Sequence, residues 1–216
     1  MKHLVVIGDI VRSRGIKGRA AFQKRLAAAL EEVSRRPVRR GGGAGLASPY
    51  TLTLGDEFQA VYARAGGVFV DLCRVRLACW PERVRLVLAA GRIDTAINPR
   101  QALGMDGPAF HAARGKIEAL KANGVDFGLG GEMPGDAARR DALIDLASAQ
   151  CEGWTRNRWA ILLGLLEERP VAELAAELGI SEAAVYKNIR HARLAAWVTV
   201  LRAVENDLDA ALARKS

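Results

Sequence analysis

The chain changes its hydrophobic period once. Up to about residue 129, short apolar or β-branched runs alternate with helically spaced stretches, and from 155 onward no strand-type run occurs. A period of two cannot be accommodated in a helix, nor a period of 3.6 in a strand, so this switch limits the architectures open to the chain. The first run is Leu4-Val5-Val6-Ile7. Ile16, Phe22, Leu26, Leu30 and Val33 then predict a helix that Pro37 stops near Arg36. Residues 37–49, with Gly41-Gly42-Gly43 and two prolines, read as a loop. Strands are expected at 50–54 and 58–62, a helix at 66–79 and a buried strand at 84–93. A helix at 108–122, a short strand at 125–129 and a helix at 136–151 follow.

The order β-α-β-β-α-β-α-β predicts an α/β two-layer sandwich over residues 1–150, followed by a small all-helical domain over 151–216. At 216 residues, half of them hydrophobic, the chain can bury a core, and global disorder is excluded. Its apolar stretches fall well short of the ~20 residues of a membrane helix, and no secretion signal is read at the N-terminus. Cys73, Cys79 and Cys151 are odd in number and lack metal-ligand spacing, which fits reduced thiols in a cytoplasmic protein.

Charge is unevenly spread. The net +8 resides in residues 1–40, with 11 Lys or Arg against three acids, while the remaining residues balance. Arg12, Arg14, Lys17, Arg19, Lys24 and Arg25 crowd the segment after Asp9. This is either a solvated face or a positive rim for a polyphosphate or nucleic-acid backbone.

Two strand-like runs end in acidic turns 47 residues apart, at Gly8-Asp9 and Gly55-Asp56-Glu57. Gly-Asp is also an ordinary turn dipeptide. As a pair at neighbouring strand ends, however, Asp9 and Asp56, with Glu57 beside them, make a candidate Mg or Mn site. Such ions take one or two protein carboxylates and leave their remaining positions to phosphate and water. Ser13 and Arg14 follow the first turn where a helix is expected to open, a setting that favours anions. Downstream, Asp106 is a candidate N-cap with Pro108 in the first turn. His111 and Arg114 share a helical face. His111 is open to a buried role or a substrate contact, and Arg114 is a phosphate or carboxylate partner.

The strand order and the placement of Asp9 and Asp56 resemble the palm-type domain of class III nucleotidyl cyclases and GGDEF diguanylate cyclases. There, two acidic residues hold two metal ions that position a triphosphate. The resemblance implies metal binding at Asp9 and Asp56 and places Arg114 in the helix motif. Phe110 stands where that motif has asparagine, and Leu54 replaces the first glycine of GGDEF. The segments IGDIVRSR (7–14), TLTLGDEFQ (51–59) and MDGPAFHAAR (105–114) together resemble the SatD family of bacterial proteins, a resemblance that carries no established activity with it.

Residues 171–190, VAELAAELGISEAAVYKNIR, predict a helix-turn-helix. Ala175 permits a close crossing, Gly179 makes the turn and Ser181 caps the second helix, while Leu174, Leu178, Ile180, Val185 and Ile189 bury. The pattern resembles sigma-factor region four and LuxR-type regulators, which implies DNA contacts from Ser181, Tyr186, Lys187 and Arg190. Nine basic and nine acidic residues leave 152–216 neutral. A stripe from Leu194 through Trp197, Val198, Leu201, Val204 and Leu208 to Leu212 either packs on the chain's own α/β part or forms a homodimer seam.

The sequence therefore predicts a cytoplasmic DNA-binding regulator whose palm-like part binds a nucleotide or phosphate ligand with a divalent metal. The alternatives are a metal-dependent nucleotidyltransferase or cyclase, and a degenerate palm serving as an interaction scaffold.

Overall fold

A computed structural model describes residues 1–35, 45–53, 56–133 and 135–214. The elements run β1 (Lys2–Ile10), α1 (Arg19–Ser34), β2 (Gly45–Leu52), β3 (Glu57–Arg64), α2 (Val68–Cys79), β4 (Val84–Arg92), α3 (Pro108–Asn123) and β5 (Phe127–Gly131). Helices α4 (Ala137–Cys151), α5 (Arg156–Leu166), α6 (Val171–Leu178), α7 (Glu182–His191) and α8 (Leu194–Ala213) complete the chain. One mixed five-stranded sheet results, ordered β2-β3-β1-β4-β5. Its first four strands are antiparallel and β5 joins β4 in parallel. β1 is central, with Asp9 opposite Glu57 of β3 on one side and Arg85 of β4 on the other.

The unbroken apolar run of β1 reflects burial on both faces. Leu4 and Val6 join the core under α1 and α2, with Phe22, Leu26, Phe69 and Leu72. Val5 and Ile7 join a second core under α3, with Ala109, Phe110, Ala113 and Ile117. The expected two-layer sandwich is thus replaced by a sheet with helices on both faces. The reason lies in α3: its apolar positions recur at helical spacing and cover the face that a two-layer packing would leave to solvent.

A third cluster gathers Trp154, Ile161, Leu162, Ala175, Val185 and Leu194 from the helical region. Trp154 packs at a tilt of 57° on Trp159, centroids 5.0 Å apart, and meets Trp197 edge-on at 5.6 Å. This region is not set apart from the sheet. Cys73 of α2 belongs to its cluster, while Leu208, Ala211 and Leu212 of α8 belong to the core beneath the sheet. Two α8 carboxylates fasten the join: Asp209 accepts from Ala65 N at 2.6 Å and Glu205 from Phe69 N at 3.2 Å, around the start of α2. Phe69 N is one of the orphan N–H groups of the α2 N-terminus, which Gly67 itself cannot cap, and Ala65 N lies two residues before that cap. The leucine-rich stripe of α8 is therefore largely spent within its own chain.

Several boundaries differ from expectation. β2 begins at Gly45 rather than near residue 50, because Gly45 and Leu46 pair with Arg64 and Tyr62 despite Pro49. Register shifts along this edge strand accommodate the proline. Helix α1 begins at Arg19, after a separate 3-10 turn at Ser13–Gly15. The predicted stop at Pro37, the triple glycine and Leu54-Gly55 lie outside the described residues. Among the described residues, no helix is long and apolar enough to cross a membrane.

Candidate functional site

Asp9 stands near the end of β1 on the α3 face, in line with Val5 and Ile7. Arg85, its cross-strand neighbour, donates from Nη1 to Asp9 Oδ2 at 2.9 Å, and both side chains are 14% exposed. Lys121 of α3 faces Asp9 Oδ1 at 3.8 Å, Glu57 at 3.6 Å and Glu118 at 3.0 Å. Burial opposes the charge on Lys121, yet its hydrogen bond to Glu118 and the nearby Asp9 and Glu57 carboxylates outweigh it and raise the pKa.

Asp56 is held differently. Its backbone meets β1, where Ile10 N donates to Asp56 O at 3.3 Å. Its carboxylate accepts from the Ser13 hydroxyl and from Arg19 Nη2 at 3.0 Å. The two carboxylates thus occupy one end of the sheet but are taken by different cations, Asp9 beside α3 and Asp56 beside the start of α1. Both offer the hard oxygen donors that magnesium or manganese prefers. Each is already neutralised by protein groups, so a divalent ion fits only by displacing Arg85 or the Ser13–Arg19 pair. Among the described residues, no group of three or more His, Cys, Asp or Glu stands ready to hold a metal.

The remaining expected ligand contacts are scattered. Arg14 is exposed on the 3-10 turn, which does not form the N-terminus of a long helix. His111 is exposed rather than buried and lies 3.3 Å from Asp106. Asp106 does not cap α3: Gly107 holds the cap position without a side-chain bond, while Asp106 N donates to Thr95 Oγ1 at 3.0 Å. Pro108 does take the first helical turn. Arg114 is exposed, and the α3 residue that reaches Asp9 is Lys121, two turns further on. Phe110 is fully buried under the sheet.

Arg83, Arg85 and Lys121 escaped the sequence reading. With Arg12 they line a cavity of about 540 Å³ beside Asp9. The available signal was Arg83 and Arg85 at a period of two, at the start of a strand read as buried. A cation alternating with apolar residues marks one face of a strand end.

In the helical region, Gly179 closes α6 with φ of +64° and Ser181 caps α7 by accepting from Ala184 N at 3.2 Å. Leu174, Ala175 and Val185 are buried, with Leu178, Ile180 and Ile189 packed against them. Tyr186, Lys187 and Arg190 are exposed on the opposite side of α7.

Fold and site together describe a mixed α/β protein that carries an acid–base cluster at the end of its central strand and a capped helix pair downstream. The sequence matches the SatD family model over residues 3–196, and the chain belongs to the SatD family. No curated protein matches it. Among solved structures, it is similar to a bacterial light-regulated adenylyl cyclase, at 11% identity and a TM-score of 0.38 over 60% of this chain. That alignment spans 43% of the cyclase chain. It is also similar to a regulator of polyketide synthase expression from Bifidobacterium adolescentis, at 15% identity and a TM-score of 0.29. Here the alignment covers 95% of this chain and 80% of the regulator.

Proposed function

We propose that this protein is a DNA-binding regulator whose α6–α7 pair is a helix-turn-helix and whose palm-like sheet part binds a nucleotide or other phosphate ligand. The observation that carries the reading is the two-sidedness of α7. Val185 and Ile189 anchor it, while Tyr186, Lys187 and Arg190 face solvent with Ser181 at the entry. An exposed helix of this kind enters a major groove with its basic side chains on phosphates or guanine edges. The link to the sheet is α8, whose two carboxylates hold the start of α2. A ligand that shifts the sheet end has a stiff path to α7 through these helices.

A magnesium or manganese ion enters this reading as the companion of the ligand, with Asp9 and Asp56 as its carboxylates once phosphate draws the cations away. Phe110, buried where cyclases carry asparagine, favours ligand binding over cyclisation. A second copy remains part of the proposal, because one neutral helical region supplies few phosphate contacts. Its seam is not the α8 stripe. The apolar side chains exposed on α4 and α8 are Leu143, Leu146 and Val200.

The test is selection from random duplexes followed by affinity measured across a salt series. Lys187→Ala and Arg190→Ala are each expected to weaken binding and flatten the log–log salt slope by about one. If the wild type enriches no sequence and both variants behave as it does, α7 is a protein-contact helix.

A further inference from the structure

The cavity beside Asp9 gathers four cations whose partners leave part of their donor capacity open. Arg12, Arg83, Arg85 and Lys121 line it together with Glu82, and Asp126, Asp9, Glu57 and Glu118 pair with Arg83, Arg85 and Lys121 from behind the lining. Arg83 is held at the rim by a two-pronged pair with Asp126, at 2.8 and 2.9 Å, and by Gly124 O at 3.1 Å. Its guanidinium is thereby fixed in place rather than left to sweep solvent. Arg85 is mostly buried and spends Nη1 on Asp9, while its Nε is buried with no hydrogen-bond partner among the described residues. A buried guanidinium donor without an acceptor is costly unless something else supplies one. Arg12 sits in the left-handed region at φ of 54° and has no ion pair among the described residues. That conformation carries a small strain for a non-glycine residue, of the kind that collects at binding sites.

We infer that this cavity is a binding site for the diphosphate group of a small ligand, with Asp9 as a built-in competitor that occupies Arg85 and Lys121 until the ligand arrives. The inference rests on the phosphate half of the function proposed above but moves the site away from Ser13, Arg14, His111 and Arg114. Its size suits two phosphates with a small remainder, and planar guanidinium forks match phosphate oxygens better than a lone ammonium does. Among the described residues, no aromatic ring lines the cavity, so recognition rests on charge rather than on stacking a base. The diphosphate can come from a free polyphosphate or from the phosphate end of a nucleotide. Binding passes cations from Asp9 to the ligand, and the carboxylate this releases is then free to meet a divalent ion.

The experiment is calorimetry on the full chain in EDTA, with pyrophosphate, ATP and GTP as probes. Pyrophosphate is expected to bind, and Arg85→Gln and Lys121→Gln each to weaken it about tenfold or more. Arg12→Gln, at an exposed residue whose loss cannot unfold the sheet, is expected to weaken it at least threefold. Asp9→Asn is expected to tighten metal-free binding several-fold, because it frees Arg85 and removes one of the three carboxylates facing Lys121. Affinity for ATP or GTP equal to that for pyrophosphate identifies the phosphates alone as the ligand, and tighter nucleotide binding identifies a nucleotide. The cavity assignment is overturned if Arg12→Gln and Lys121→Gln leave affinity unchanged while Arg14→Gln weakens it. That outcome keeps the phosphate reading and moves the site to the α1 side. If no phosphate compound binds the wild type, the cavity assignment and the phosphate reading fail together, and DNA selection alone then decides the rest.

Discussion

Arg85 and Asp9 face each other across the β1–β4 ladder, with Nη1 and Oδ2 2.9 Å apart and each side chain only 14% exposed. A pair this sheltered is costly to break from one side, because the survivor keeps its charge without its partner. Arg85→Ala is expected to destabilise the protein by about 3 kcal/mol. Asp9→Asn retains hydrogen-bonding capacity and should cost less. Urea denaturation of both single variants and the double variant gives the coupling energy, expected to be about 1–3 kcal/mol.

The crossing of α5 and α6 has a tight point at Gly164. A Cβ built there would lie 2.2 Å from Leu174 Cδ2, and Leu174 is 2% exposed. Gly164→Ala therefore forces α5 and α6 apart or pushes Leu174 off its rotamer, at about 1–3 kcal/mol. The loss is expected to appear in tryptophan fluorescence, since Trp154, Trp159 and Trp197 sit in this cluster, and DNA affinity should fall with it.

Trp197 is half-buried and packs against its own chain. Its Nε1 donates to Gln150 at 2.8 Å and its ring meets Trp154. Trp197→Asp is expected to lower the melting temperature equally at low and high protein concentration. A loss that vanished at high concentration would instead mark a subunit seam.

Glu205 is partly buried where it bonds the start of α2. Burial raises its pKa above 4.5 despite the opposing hydrogen bonds from Phe69 and Gly67. A carboxyl whose folded pKa is raised binds its proton more tightly in the folded chain. Its contribution to stability is full below pH 4.5 and is lost as pH rises through the raised value. Glu205→Gln should flatten the stability profile in that window and leave the protein more stable than wild type above it. Thermal melts between pH 4 and 8 check this.

Burial pushes the thiols of Cys73, Cys79 and Cys151 up to about 12. Because the thiolate is the reactive form, all three should alkylate slowly at pH 8, and the buried Cys73 and Cys79 should react at the rate of unfolding. Rapid labelling of Cys73 or Cys79 in the native protein would show that these sites open locally.

Much of the fold was legible in local pattern. The β1 run, the strand at 84–92, α3 opening at Pro108 and α7 capped by Ser181 all follow from residue type and period, because each is decided within a few neighbours. That Asp9 and Asp56 fall at the end of strand-like runs was legible for the same reason, although Asp9 lies within β1, paired with Glu57 and Arg85, rather than in a turn after it. The partners of those carboxylates were not. Arg85 reaches Asp9 across a ladder between residues 76 apart, and Lys121 arrives on α3 from further still. Pairings at that separation depend on strand order and register, which no local window contains. The same holds for the third layer and for α8. Whether the stripe from Leu194 to Leu212 would cover its own sheet or a second copy depended on where the β3–α2 turn and the start of α2 left N–H groups open to Asp209 and Glu205. Local chemistry determined which elements form and where they end; the tertiary packing alone decided which charges meet.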